Sequence, residues 1–175
     1  MNVKFINPFV MAVSEVLRSE AHTDVRKGEV KLYRSACTGN DVTALLTLVG
    51  QVEGVVMYGM STSMALALVS KMLGQPVQEL DDLAQSGIGE LGNVITGRAT
   101  TLLAAEGYVS QISVPTLIIG VDVQISTLDF QRLVVTLLTD YGPLEVHVAL
   151  RERKAEFGMA PEVVAAANLQ SLPVH

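Results

Sequence analysis

Glu90 and Asn93 stand three residues apart in the run Ser86-Gly-Ile-Gly-Glu-Leu-Gly-Asn-Val-Ile-Thr-Gly-Arg-Ala-Thr100. An amide one helical turn from a carboxylate can hold a water molecule while the carboxylate engages a cation. The pair brings no nucleophile and no metal of its own, so a reaction here needs a partner that supplies the electrophile. Ile88, Leu91, Ile95 and Leu102 follow the spacing of a buried helical stripe. Ser86, Glu90, Asn93, Gly97 and Thr100 fall on another face, so the two polar side chains project into the same space. Spacing alone leaves two readings, a solvated helix face and a binding face. Gly89, Gly92 and Gly97 weigh toward the second, because each costs a helix interior about 1 kcal/mol relative to alanine. They read as room for a closely approaching surface.

Other candidate chemistry is weaker. Gly87-Ile-Gly89-Glu-Leu-Gly92 matches the G-x-G-x-x-G pattern, which binds a dinucleotide only where a strand runs into the first glycine. The residues before it, Gln78 to Ser86, are polar, acidic and helix-like, so no βαβ unit precedes the pattern. Asp81 and Asp82 suit the first turn of a helix, where acidic side chains complement the dipole. His22, His147 and His175 lack metal-ligand spacing and form no zinc set with Cys37. His147 reads as an ordinary strand residue. Neither G-x-S-x-G nor a Walker sequence occurs.

The elements that would position Glu90 and Asn93 follow from periodicity and punctuation. A helix is expected over residues 8–20, with Phe9, Val13, Val16 and Leu17 on one side. Strands are expected at 29–36, 42–49 and 55–59 as an antiparallel meander, since their connections are too short for parallel crossovers. In the first, Val30, Leu32, Arg34 and Ala36 alternate with Glu29, Lys31, Tyr33 and Ser35. Ser61 is a candidate N-cap for a largely buried second helix that ends at Leu73, before Gly74 and Pro76. A long third helix spans about 79–105 and carries the polar pair. An extended segment then leads to a strand at 116–119, and two more follow at 130–138 and 144–150 around the turn 139–143. This order gives an α+β fold, a mainly antiparallel sheet with three principal helices packed on one face.

The chain has 175 residues, enough for one domain over 1–152 with a real core. Residues 153–175 form a tail, read as a short helix or a disordered segment. Aromatic residues are few and tryptophan is absent, so the core should be aliphatic. A net charge of −6 argues against nucleic acid as a partner, since that needs a basic face. Arg151-Glu-Arg-Lys154 is short and interrupted by glutamate, and reads as a solvated strand end. No apolar run reaches the roughly 18 residues of a membrane span. Asn7 and Pro8 interrupt the apolar N-terminus and no cleavage site follows, so a secretory signal is not expected. A single cysteine fits a cytoplasmic protein.

Glu90-Leu-Gly-Asn93-Val-Ile-Thr-Gly97 resembles the E-x-x-N motif of the CheC/CheX/FliY phosphatases of bacterial chemotaxis. Phe5-Ile-Asn-Pro-Phe9, the segment Ile112 to Gly120 and the single motif copy are similar to the CheX branch in particular. The resemblance covers roughly residues 4–150. It implies a phosphatase of a phosphorylated CheY-like receiver, with catalytic residues Glu90 and Asn93, no cofactor or metal of its own, and Mg²⁺ on the receiver. Asn93 would orient a water for in-line attack, and Glu90 would contact the receiver's lysine. Positioning would then supply most of the catalysis, because phosphoryl transfer asks little covalent chemistry of the protein. Gly89, Gly97, Ser86 and Thr100 would line the docking face. The resemblance also implies a homodimer joined through paired sheets, which would cover an apolar edge left by strands 42–49 or 130–138. Arg98 departs from the family pattern, which often has asparagine there. A non-catalytic receiver-binding adaptor or a switch-assembly subunit of the same fold is the alternative.

Overall fold

Three helices cover one face of a seven-stranded antiparallel sheet in the computed structural model, which describes residues 3–33, 40–127 and 131–153. A 3-10 turn at Val3–Phe5 runs into α1 (Ile6–Glu20), whose residues Phe9, Val13, Val16 and Leu17 are all buried. Helix α2 (Thr62–Leu73) starts where the Ser61 side chain accepts from Met64 N at 3.2 Å. It stops at Gly74, whose φ of 65° suits glycine. Helix α3 (Asp82–Ala105) starts where the Asp81 carboxylate accepts from Ala84 N at 2.8 Å. Each cap satisfies a donor that a helix start would otherwise leave open.

The strands are β1 (Arg26–Tyr33), β2 (Val42–Gly50), β3 (Val52–Met60), β4 (Ser110–Ile112), β5 (Thr116–Ile119), β6 (Arg132–Thr139) and β7 (Gly142–Glu152). Their order across the sheet is β1-β6-β7-β3-β2, and then β4 and β5 share the outer side of β2. Side chains alternate between faces along each strand. Ala44, Leu46, Val56, Tyr58, Val135, Val146 and Val148 share the helix-side core with residues of all three helices. Fully burying each aliphatic side chain contributes about 1.5–3 kcal/mol, which makes this layer the main anchor of α3. Helices α1 and α3 run antiparallel. Phe5 packs edge-on against Tyr108 just past α3, and Glu15 pairs with Arg98 further back along it.

Several expectations need correction. Strand β1 begins at Arg26, and residues 34–39 lie outside the described residues; β1 pairs with β6 rather than β2, so the expected meander holds only for β2 and β3. Val30 and Leu32 are exposed on β1, an edge strand among the described residues. Strands β2 and β6 are apolar because they are interior to the sheet; among the described residues its edges are β1 and the β4–β5 pair. A dimer therefore cannot cover an edge of β2 or β6. Residues 107–114 contain the short strand β4. Helix α2 buries Met64, Ala65, Leu68 and Val69 but leaves Leu73 exposed, so it is less enclosed than expected. Residues 154–175, with almost all of the expected tail, and Cys37 lie outside the described residues.

Candidate functional site

Helix α3 buries Ala84, Ile88, Leu91, Ile95, Ala99 and Leu103 against the sheet and its sister helices. Leu102 is only half-buried, the stripe passing through Leu103 instead. The opposite side of the helix is solvent-facing. Ser86 and Glu90 are exposed there, and Asn93, Gly97 and Thr100 are half-buried. The structure thus brings five of the six expected site residues onto one face. The Glu90 and Asn93 side chains have no hydrogen-bond or ion-pair partner among the described residues. The Thr100 hydroxyl donates to the Gly97 carbonyl at 2.8 Å, and Thr101 donates to the same oxygen at 3.0 Å. Exposed Leu83 and Val94 flank Glu90 along the helix.

The glycines divide by what lies beside them. A Cβ on Gly97 would meet nothing within 4 Å, so this position is open to a partner. Gly92 faces the sheet, where a Cβ would lie 3.2 Å from Ala44 Cβ and 3.3 Å from Leu46 Cδ1. Gly89 is buried, with Pro115 Cγ 3.5 Å from the position of a Cβ. The expectation that all three admit a partner is corrected. Gly92 lets α3 approach the sheet, Gly89 fits against the link between β4 and β5, and Gly97 alone opens outward.

Charge near the site is local. Arg98 Nε donates to Glu15 Oε2 at 2.5 Å across α1 and α3. That hydrogen bond lowers the Glu15 pKa and raises that of Arg98. Both side chains are largely exposed, so the pair adds little stability. Among the described residues no group of three or more His, Cys, Asp or Glu could hold a metal ion. Among the described residues no helix is long and apolar enough to cross a membrane.

Sequence reasoning missed two features. Tyr58 and Thr96 form a buried polar link under α3, and a tyrosine within a strand gives no local signal of a partner 38 residues away. His147 is buried on the sheet face away from the helices, with Nε2 3.2 Å from Glu145 Oε2. Asn40 Nδ2 donates to the same oxygen at 2.7 Å. These contacts, that with His147 foremost, hold the Glu145 carboxyl below the usual carboxylate range despite its partial burial.

A seven-stranded antiparallel sheet under three helices is the fold of CheC-like proteins. A CheC-like superfamily protein from Shewanella sp. PV-4 matches with a TM-score of 0.79 at 29% identity, over 86% of this chain and 99% of that chain. The chain belongs to the CheX family: the model described as chemotaxis phosphatase CheX matches residues 42–138. The CheY-P phosphatase CheX of Thermotoga maritima is 29% identical over 128 residues, which span 73% of this chain and 83% of that protein. The crystal structure of the CheX-CheY-BeF3-Mg²⁺ complex from Borrelia burgdorferi matches with a TM-score of 0.73 at 30% identity, over 86% of this chain and all of that one.

Proposed function

We propose that this protein hydrolyses the aspartyl phosphate of a CheY-like receiver domain docked on the outer face of α3. The observation that carries this reading is the pair of free side chains, Glu90 and Asn93, on the solvent side of a helix otherwise locked to its sheet. Membership of the CheX family supports it, as does the likeness to a CheX bound to CheY. Asn93 orients a water in line with the acyl phosphate. The new bond forms from water oxygen to phosphorus, and the bond from phosphorus to the aspartate oxygen breaks. The receiver recovers its carboxylate, and inorganic phosphate leaves with the water's oxygen.

Glu90 engages the receiver's active-site lysine and sets the docking register. Mg²⁺ belongs to the receiver and neutralises charge on the transferring group. Ser86, Gly97 and Thr100 form the surrounding contact surface. The reaction places the protein in the cytoplasm, where receivers are phosphorylated. Phosphorylated receivers of the same organism, mixed with catalytic amounts of the wild-type chain, test the reading. Accelerated phosphate loss from one of them is expected, and unchanged lifetimes for all of them contradict it.

The protein also acts as a homodimer joined at an open sheet edge. Exposed Val109, Val114, Ile119 and Val121 lie at or beside the β4–β5 edge, whereas β1 mixes exposed Val30 and Leu32 with Lys27 and Lys31. An isologous pairing there leaves two α3 faces free for two receivers. Light scattering should give twice the chain mass, and a stable monomer at micromolar concentration refutes the pairing.

A further inference from the structure

Beneath the Glu90 and Asn93 face, among the described residues, α3 meets the sheet at one polar side-chain contact. The Tyr58 hydroxyl on β3 lies 2.8 Å from Thr96 Oγ1, and Thr96 Oγ1 donates to the Gly92 carbonyl at 2.7 Å. A hydroxyl carries one proton. The Thr96 proton is committed to Gly92, so the phenol donates and Thr96 accepts. Burial raises the Tyr58 pKa and keeps that proton in place. The Gly92 carbonyl belongs to the peptide group whose nitrogen is that of Asn93. Two hydrogen bonds therefore connect the floor of the sheet to the backbone of the residue that would hold the water.

The rest of this buried interface is apolar. Thr96 is the one polar residue among the buried residues of α3; the others are aliphatic or glycine. Aliphatic burial is non-directional, whereas a hydrogen bond weakens as its angle opens. Gly92 sets how far the helix can sink, through Ala44 and Leu46, and the hydroxyl pair adds a directional constraint on turning about its axis. A turn of about 10° moves an atom about 5 Å from the axis by about 0.9 Å. A displacement near 1 Å can cost up to about 100-fold in rate where catalysis is positioning.

We propose that Tyr58 and Thr96 are positioning residues for the phosphatase reaction, fixing the rotation of α3 so that Asn93 presents its water in line while Glu90 keeps its docking contact. This rests on the reading of Glu90 and Asn93 given above. Tyr58→Phe removes only the hydroxyl, and Thr96→Val keeps the volume without donor or acceptor. The probe is a CheY-like receiver of the same organism, phosphorylated with acetyl phosphate for turnover and loaded with beryllofluoride and Mg²⁺ for affinity.

Both variants should lose about tenfold in kcat while affinity for the beryllofluoride-loaded receiver stays within about twofold. Thr96→Ser, which keeps the hydroxyl, should restore a kcat close to wild type. Should Tyr58→Phe fail to fold, the comparison of Thr96→Val with Thr96→Ser carries the test alone. A purely structural role lowers the melting temperature and leaves kcat intact. Wild-type kcat in Tyr58→Phe and Thr96→Val, beside an inactive Asn93→Ala, overturns this inference and leaves the site standing. An active Asn93→Ala removes the site reading and this inference with it.

Discussion

Gly97→Ala should make the protein more stable and a weaker partner. A Cβ at this position meets nothing within 4 Å, so the new methyl group strains nothing in the free protein. Alanine is favoured over glycine in a helix interior by about 0.8–1 kcal/mol. For a chain of this size each kcal/mol shifts the melting temperature by roughly 2–4 °C, so a rise of that order is expected. The same methyl stands on the face that bears Glu90 and Asn93. If a receiver packs closely there, overpacking of about 1–3 kcal/mol weakens binding roughly 5- to 150-fold. Thermal unfolding by circular dichroism reads the first effect, and titration of a beryllofluoride-loaded receiver reads the second. Gly92→Ala is the internal control, because Ala44 Cβ at 3.2 Å moves only with its backbone, and it should lose the stability gain. Stabilised Gly97→Ala with unchanged affinity would refute close docking at this turn of α3, and a destabilised one would refute the open geometry.

Glu90→Gln should weaken receiver binding more than it slows turnover by bound enzyme, and added salt should mimic it where the contact is exposed; unchanged affinity with collapsed turnover would move Glu90 into the chemistry. Glu145 is held below its ordinary pKa by His147 and Asn40, so it contributes stability present above the unfolded value near 4.5 and lost as pH falls through the lower folded value. Urea midpoints measured from pH 6 down to about 3 should fall for wild type, and Glu145→Gln should flatten part of that fall. Glu15 has the same sign but lies at the surface and adds little.

The helices were legible in the sequence because their ends are chemically marked. Ser61 and Gly74 occupy the caps that their residue types favour, and β2–β3 and β6–β7 fold as antiparallel neighbours; α3 starts at Asp82 with Asp81 as its cap rather than at about 79, and β1 pairs with β6 instead of β2. The face carrying Glu90 and Asn93 was legible too, since 3.6-residue periodicity fixes which residues share it. Strand position within the sheet was not. An apolar strand reads the same at an edge or in the interior, and only long-range pairing placed β2 and β6 inside and β1 outside. The glycines mislead for a related reason. A missing Cβ makes room equally for a partner, for Pro115 or for Ala44, and the sequence does not say which. Tyr58 and Thr96 meet across layers, so neither local pattern announces the contact.

Asn93→Ala beside wild type, in a time course of phosphate loss from one phosphorylated CheY-like receiver, addresses the central claim most directly. Asn93 has no intramolecular partner among the described residues, so its truncation should leave the circular dichroism spectrum unchanged. Receiver phosphate should then decay at its intrinsic rate, as if no phosphatase were present, while wild type shortens its lifetime. Decay with Asn93→Ala as fast as with wild type would contradict the account.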